Sequence, residues 1–180
     1  MKRKDYLFVV LVPLPLLLVA LLGNTFVEGW NWQPRGFVLL WFVVAVAALI
    51  YKLIATRPAA PPAQRLAAGL AAPAGFVIFW MSIGPKIIGE ENPGNLLYLL
   101  TILLGLIGVG VSRFRPARLA LVAFGMAAAL LSIPAVAFLL WPDNFQPGFL
   151  RIQLKSSVFA AVFIASGLLF RRASSRLKVT

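Results

Sequence analysis

Six long apolar runs, separated by short polar connectors, constrain this chain more than any other feature of its sequence. A helix that crosses a bilayer needs about 20 mostly apolar residues, within a range of roughly 17–25. A segment inside lipid must also satisfy its own backbone hydrogen bonds, which only helices and closed barrels achieve. The pattern predicts an all-α integral membrane protein, with residues 1–180 forming a single membrane domain of three hairpins. The six predicted transmembrane helices cover approximately residues 6–22, 36–55, 66–84, 95–112, 117–141 and 152–170.

The 17 basic and 5 acidic residues are divided unevenly between the two sides of this predicted topology. One side carries a large excess of positive charge, from Lys2, Arg3, Lys4, Lys52, Arg57, Arg65, Arg113, Arg115, Arg118, Arg171, Arg172, Arg176 and Lys178. On the other side the charges cancel, with Glu28, Glu90, Glu91 and Asp143 against Arg35, Lys86, Arg151 and Lys155. Cytoplasmic loops of membrane proteins are enriched in Lys and Arg. We therefore predict a multi-pass protein of the bacterial inner (plasma) membrane with both termini cytoplasmic.

The tryptophans indicate the same topology independently of charge. Four of the 5 tryptophans, Trp30, Trp32, Trp80 and Trp141, fall at the predicted periplasmic boundary. Tryptophan rings are enriched at the depth of the lipid headgroups.

The composition argues against most kinds of catalytic or cofactor site. The chain has no cysteine and no histidine, which removes thiolate nucleophiles, histidine-ligated metals and histidine-ligated haem. No acid lies in the middle of a predicted helix, so the carboxylate relay of an ion-driven pump is missing. Phosphate-binding loops and dinucleotide fingerprints are also absent. We therefore predict no enzymatic activity, no cofactor and no metal site. We also predict no nucleic-acid partner, because the net charge of +12 is spread over short clusters beside the membrane.

One candidate polar site stands out in the predicted periplasmic loops. Its densest part is the connector after the third helix, which contains Lys86, Glu90, Glu91, Asn92 and Asn95. Carboxylate and amide oxygens are ligands for hard cations. The alternative is structural, since acids are favoured before a helix start and asparagines cap exposed amides.

Asp143 and Lys155 extend this candidate cluster. Lys155 is a cation inside the sixth apolar run, where charge is costly and is a functional hypothesis by default. Two interpretations are open: the lysine snorkels to the interface, or it pairs with an acid. The sharper hypothesis is that Glu90, Glu91, Asp143 and Lys155 converge into one charge-balanced cluster. Gln153, Ser156 and Ser157 would then line the same patch.

Small residues and prolines predict how the helices pack. Two predicted helices carry small faces that allow close backbone approach, at Gly105, Gly108 and Gly110 and at Gly69, Ala72 and Gly75. Prolines at positions 13, 15, 73 and 134 each remove a backbone donor and are expected to bend their helices. The scattered serines are expected to be packing hydroxyls.

Three local runs resemble a family of small polytopic bacterial inner-membrane proteins. They are residues 87–98 (IIGEENPGNLLY), 113–116 (RFRP) and 166–172 (SGLLFRR). The resemblance begins at the third helix and implies a bacterial inner-membrane protein. That family has no assigned activity, so the resemblance transfers no functional residue.

The sequence favours a non-enzymatic role, as an accessory or scaffold subunit that packs against another membrane protein or lipid. Membrane lipids and a second membrane protein, or a second copy of the chain, are the expected partners. The alternative is a transporter or channel for a small apolar or amphipathic solute that enters between bent helices.

Overall fold

The computed structural model describes residues 3–57, 60–143 and 145–176, and within these ranges it is helical with no strand. The helices of the described residues are α1 (Arg3–Leu11), α2 (Pro13–Phe26), α3 (Pro34–Ala55), α4 (Pro62–Ile83), α5 (Asn95–Val111), α6 (Pro116–Leu140) and α7 (Phe149–Arg176). Met1, Lys2, Lys178 and Thr180, on which the predicted positions of the termini depend, lie outside the described residues.

The helices match the six predicted apolar runs to within a few residues at most ends. Only Val12 separates α1 from α2, and together they form one apolar stretch, Arg3–Phe26, of 24 residues. This stretch, α3, α4, α6 and α7 are each long and apolar enough to cross a membrane. The remaining helix, α5, is apolar but has 17 residues. The architecture is compatible with a multi-pass membrane protein.

Prolines mark several of the helix boundaries. Pro34, Pro62 and Pro116 are the first residues of α3, α4 and α6, where the missing backbone donor has no cost and the fixed φ suits the helix. Pro13 opens α2 directly after the interruption at Val12. Pro73 and Pro134 lie inside α4 and α6, which continue through them.

The structure divides into two compact units, residues 1–58 and 59–180. The first, called here the hairpin unit, contains α1 and α2 packed against α3. Lys52 near the end of α3 donates a 3.1 Å hydrogen bond to the Asp5 carboxylate of α1 and lies 4.3 Å from the centre of the Phe8 ring. At the other end, Trp30 packs against Gly23, and Asn24 accepts a hydrogen bond from the Trp32 amide. Side-chain contacts therefore hold the hairpin unit together at both of its ends.

The second unit, called here the four-helix unit, contains α4 to α7. Helix α7 packs against both α6 and α4, and α5 packs against the same two helices. The interior is apolar, and its largest fully buried side chains include Ile78, Tyr98, Leu130 and Ile152. The helix pair of each predicted hairpin is in contact, as expected. The single membrane domain over residues 1–180 stays a prediction.

Glycines in the four-helix unit allow its helices to approach closely. A methyl group added at Gly105 would lie 2.5 Å from the Met126 sulfur of α6, and one at Gly108 would lie 2.9 Å from Val122. The predicted small face of α5 is confirmed at these two positions. Gly110 has no neighbour within 4 Å, Gly75 reaches Ile102 only at 4.0 Å, and Gly69 is exposed.

Candidate functional site: the loop cap of the four-helix unit

Two loops close one end of the four-helix unit. They are residues 84–94 between α4 and α5, and residues 141–143 and 145–148 between α6 and α7. We refer to them together as the loop cap. The amide of Gly89 donates to the carbonyl of Gln146 at 2.8 Å, and the Asn92 side chain donates to the carbonyl of Trp141 at 3.3 Å. Each loop is therefore fastened to the other.

The loop cap is anchored by apolar side chains as well as by hydrogen bonds. Ile87 and Ile88 in the first loop and Phe145 in the second are buried and belong to the main core. Fully burying a side chain of this size contributes about 1.5–3 kcal/mol. The loops that the sequence presents as polar thus have an apolar inner side.

Asn95 organises the first loop. Its Oδ1 accepts hydrogen bonds from the amides of Ile87 and Ile88, at 2.9 and 3.1 Å. Its Nδ2 donates to the carbonyls of Ile88, Gly89 and Asn92, at 2.7, 2.9 and 2.9 Å. Four of these hydrogen bonds are buried and the one to Gly89 is partly buried. An unpaired buried backbone group costs about 1–3 kcal/mol. One amide side chain therefore takes the place of water for a whole turn of the chain.

Asn92 has a more local role beside it. Its Oδ1 accepts a 2.7 Å hydrogen bond from the amide of Gly94, the residue before α5. The N-cap residue of α5 is Gly94, and the amides of the first turn donate to backbone carbonyls, from Asn95 to Asn92, from Leu96 to Pro93 and from Leu97 to Gly94. Both asparagines instead satisfy the loop that precedes the helix. A methyl group at Gly94 would lie 2.7 Å from the Ala137 methyl, so the loop sits directly on α6.

The backbone turns sharply on both sides of these contacts. Lys86 has φ of 61° and Gly89 has φ of 36°, both in the left-handed region that most residues avoid. In the second loop, Gly148 has φ of 118° after a cis Gln146–Pro147 bond. Glycine adopts such φ values readily, whereas lysine rarely does.

The charged residues of the candidate cluster lie outside this hydrogen-bonded interior. Glu90, Glu91, Asp143 and Lys155 are exposed, and Lys86 is half-buried. All are described residues, and none of the three acids lies within 4.0 Å of the Lys155 ammonium. The expected salt bridge of a charge-balanced cluster is therefore not formed. The structure brings together Asn92 and Asn95 and leaves the charges at the surface.

This arrangement also bears on cation binding. The Asn95 oxygen, which could have been a ligand, already accepts two amides. Among the residues that the structure describes, no three acids are grouped closely enough to hold a metal ion. In the buried part of the loop cap, the asparagine side chains form hydrogen bonds with backbone amides and carbonyls.

Lys155 occupies the outer face of α7. The helix begins at Phe149, three residues before the predicted start. Lys155 is therefore in the second turn, and exposed Arg151 is in the first turn. Like charges four residues apart repel by a few tenths of a kcal/mol. A lysine near a helix end that is exposed and without an acid partner fits the snorkelling interpretation.

Hydroxyl groups link the helices inside the four-helix unit. Tyr98 of α5 and Ser156 of α7 are fully buried, and their oxygens are 2.7 Å apart. Ser166 of α7 donates a 2.9 Å hydrogen bond to the Ala67 carbonyl of α4. The expected packing role of Ser166 is confirmed. The partnership of Tyr98 was not predicted, because nothing in the local sequence relates it to a residue 58 positions away.

The Asp5–Lys52 pair of the hairpin unit was also missed. Asp5 is the acid that stands apart on the strongly basic side of the predicted topology. Both side chains are partly exposed, at 14% for Asp5 and 20% for Lys52. The available signal was that Asp5, a single acid, lies at the start of the first predicted hairpin, while the cation Lys52 lies near the end of the same hairpin.

Comparison of the chain with protein-family models, curated proteins and solved structures gave no match. The resemblance to small bacterial inner-membrane proteins therefore stays a prediction.

Proposed function

We propose that the chain is a non-enzymatic accessory subunit of the bacterial inner membrane, and that its hairpin unit packs against another membrane protein. The observation that carries the proposal is the low burial of that unit. Across α1 and α2 only Pro13 and Ala20 are buried, while large apolar side chains such as Val19 and Phe26 are more than half exposed. Within the hairpin unit, these helices leave most of their surface uncovered.

The interior of the four-helix unit supports a structural role. Its polar side chains bond to one another or to backbone, as in the Tyr98–Ser156 pair, the Ser166–Ala67 contact and the five hydrogen bonds of Asn95. Groups that are already paired offer little to a polar substrate, because binding one would first break an existing hydrogen bond. The four-helix unit is therefore suited to a structural role.

Site-specific photo-crosslinking in intact membranes tests this role. A crosslinker at Val38 or Phe42, which are exposed one turn apart on α3, is expected to capture the same second membrane protein from both positions. The matched control is Leu121 on α6, which is 71% exposed but belongs to the four-helix unit and should give lipid adducts only. Deletion of this chain should also lower the abundance of the captured protein. Lipid adducts alone at every position would contradict the proposal.

The orientation is part of the proposal. The basic excess supports cytoplasmic termini, with the loop cap in the periplasm. Alkaline phosphatase fused after Asn92 should be active, and fused after Arg115 it should be inactive. The opposite pattern would overturn the orientation while leaving the crosslinking result untouched.

A further inference from the structure

The end of the four-helix unit opposite the loop cap is crowded with arginine. Helix α4 starts there, α5 and α6 are joined there, and α7 finishes there. Seven arginines, all exposed, belong to this region, which we call the arginine end: Arg65, Arg113, Arg115, Arg118, Arg171, Arg172 and Arg176. The acids of residues 60–176 are Glu90, Glu91 and Asp143, and all three belong to the loop cap. Among residues 60–176, no carboxylate lies at the arginine end to neutralise it.

A rigid turn holds the central arginines in place. The Ser112 hydroxyl donates to the Val109 carbonyl at 2.6 Å and accepts the Phe114 amide at 3.0 Å. Arg113 and Phe114 then take left-handed φ values of 50° and 58°, and the Arg115 amide returns to the Ser112 carbonyl at 3.1 Å. Two consecutive left-handed residues without glycine are costly and persist only where surrounding bonds hold them. The turn therefore presents Arg113 and Arg115 in a fixed backbone frame.

Two helices start and two finish at this end, so their dipoles roughly offset each other, but three of the arginines lie beside the helix starts. Arg115 directly precedes α6, Arg118 is in the first turn of α6, and Arg65 is the fourth residue of α4. The start of a helix carries a partial positive charge, so a cation there is unfavourable by about 0.3–1 kcal/mol. The loop cap end, in contrast, balances its three acids with Lys86, Arg151 and Lys155. Of the two ends of the four-helix unit, counted over residues 60–176, the arginine end is the one with uncompensated positive charge.

We propose that the arginine end binds the headgroups of anionic phospholipids, with Arg113, Arg115 and Arg118 at the centre of the binding surface. Guanidinium groups bind phosphate oxygens in pairs of hydrogen bonds, and each cation near an anionic membrane surface contributes about 1 kcal/mol. This inference does not depend on the proposed accessory role.

The neighbouring side chains favour lipid over an acidic protein. Leu66, Val111 and Leu121 lie one to three residues from arginines of this end, on the side of the helix body, and are 62%, 69% and 71% exposed. A band of exposed apolar groups directly beside a band of guanidinium groups matches a molecule with an acyl chain and an anionic headgroup. An acidic protein surface would match only the charges.

Thermal unfolding of the full chain in mixed micelles tests the proposal. Detergent micelles that contain phosphatidylglycerol should raise the unfolding temperature relative to micelles with the same fraction of phosphatidylcholine. The triple variant Arg113→Gln, Arg115→Gln and Arg118→Gln should lose at least half of that rise. The matched control removes the same charge from the other end, with Lys86→Gln, Arg151→Gln and Lys155→Gln, and should keep it. Equal rises in the two triple variants would overturn the proposal.

Three further arms separate the sources of negative charge and guard against a misfolded variant. In the first arm, inorganic phosphate or polyglutamate is added to the protein in phosphatidylcholine micelles. If either one raises the unfolding temperature as much as phosphatidylglycerol does, the assignment to lipid is overturned in favour of a free phosphate or an acidic protein. The triple Arg→Lys variant, which keeps the charge, should keep most of the rise. In reconstituted vesicles, spin-labelled phosphatidylglycerol should lose at least about fivefold in relative affinity in the Arg→Gln variant, the equivalent of one surface cation. Unchanged lipid selectivity in that variant would refute the site even if its stability differs.

Discussion

The two units of this chain bury their helices to very different extents. Of the most apolar 18 residues in Arg3–Phe26, 17% are buried, whereas the corresponding window of α6 is 39% buried. A helix in the four-helix unit has neighbours on two sides, while the hairpin unit contains only α1, α2 and α3. The comparison teaches that similar hydropathy does not imply similar packing, because hydropathy records compatibility with lipid and not contact with protein.

Polar contacts differ between the units in the same way. In the hairpin unit they lie at the ends, at Asp5–Lys52 and at Asn24–Trp32. In the four-helix unit they also cross the interior, as in Tyr98–Ser156. The four-helix unit should therefore respond more strongly to single substitutions than the hairpin unit. Substitutions in the two units measure how strongly each depends on its contacts, beginning with the largest expected effect.

Asn95→Ala should be the most damaging of these changes. It removes five hydrogen bonds and leaves the buried amides of Ile87 and Ile88 without an acceptor, at about 1–3 kcal/mol each. Asn24→Ala in the hairpin unit removes the acceptor of the Trp32 amide and should cost about 1 kcal/mol. Denaturant titration in mild detergent measures both. Equal losses would mean that the loop cap depends on Asn95 no more than the hairpin unit depends on Asn24.

Gly167→Ala probes how tightly α7 packs against α6. The added methyl would lie 2.7 Å from the Phe124 ring, so we expect a loss of about 1–3 kcal/mol from overpacking. Gly125→Ala is the matched control on α6, because it has no neighbour within 4 Å. It should be neutral or stabilise the helix by up to about 1 kcal/mol. Tolerance of both variants would show that the interface is loose.

The Tyr98–Ser156 pair can be measured by a double-mutant cycle. Tyr98→Phe and Ser156→Ala should each cost about 1 kcal/mol, and the double variant should cost less than their sum. Unfolding of all four proteins in the same detergent gives the coupling energy. Strict additivity would indicate that the 2.7 Å contact contributes nothing.

Asp5→Asn should have the smallest effect. The Asp5–Lys52 pair is partly exposed, and pairs of this kind contribute about 0.2–1 kcal/mol. The loss should shrink further in high salt, since partly exposed pairs are screened. A change larger than that of Asn95→Ala would reverse the ranking of the two units.

The helices could be predicted because their signals are local. Apolar runs located all of them, and the prolines at positions 34, 62 and 116 mark three starts. The predicted windows were too short at several ends, as at Arg176, because polar first and last turns remain helical beyond the apolar run.

The loop cap could not be predicted in the same way. Its asparagines were selected from the sequence, but their partners are backbone groups, which carry no residue-specific signal. The left-handed conformations of Lys86, Arg113 and Phe114 likewise follow from surrounding hydrogen bonds and not from residue preference. The charged side chains are the most conspicuous part of the loop in the sequence, but in the structure they lie at its exposed surface.

The shortness of α5 has a consequence for the surrounding bilayer. Seventeen residues rise about 26 Å, a few Å less than the roughly 30 Å hydrocarbon thickness, whereas the 25 residues of α6 exceed it. If α5 spans a membrane, acyl chains beside it shorten to meet it and α6 tilts, at a cost of fractions of a kcal/mol per Å of mismatch. The chain would then be solvated unevenly around its circumference, with a shallow depression of the leaflet on one side.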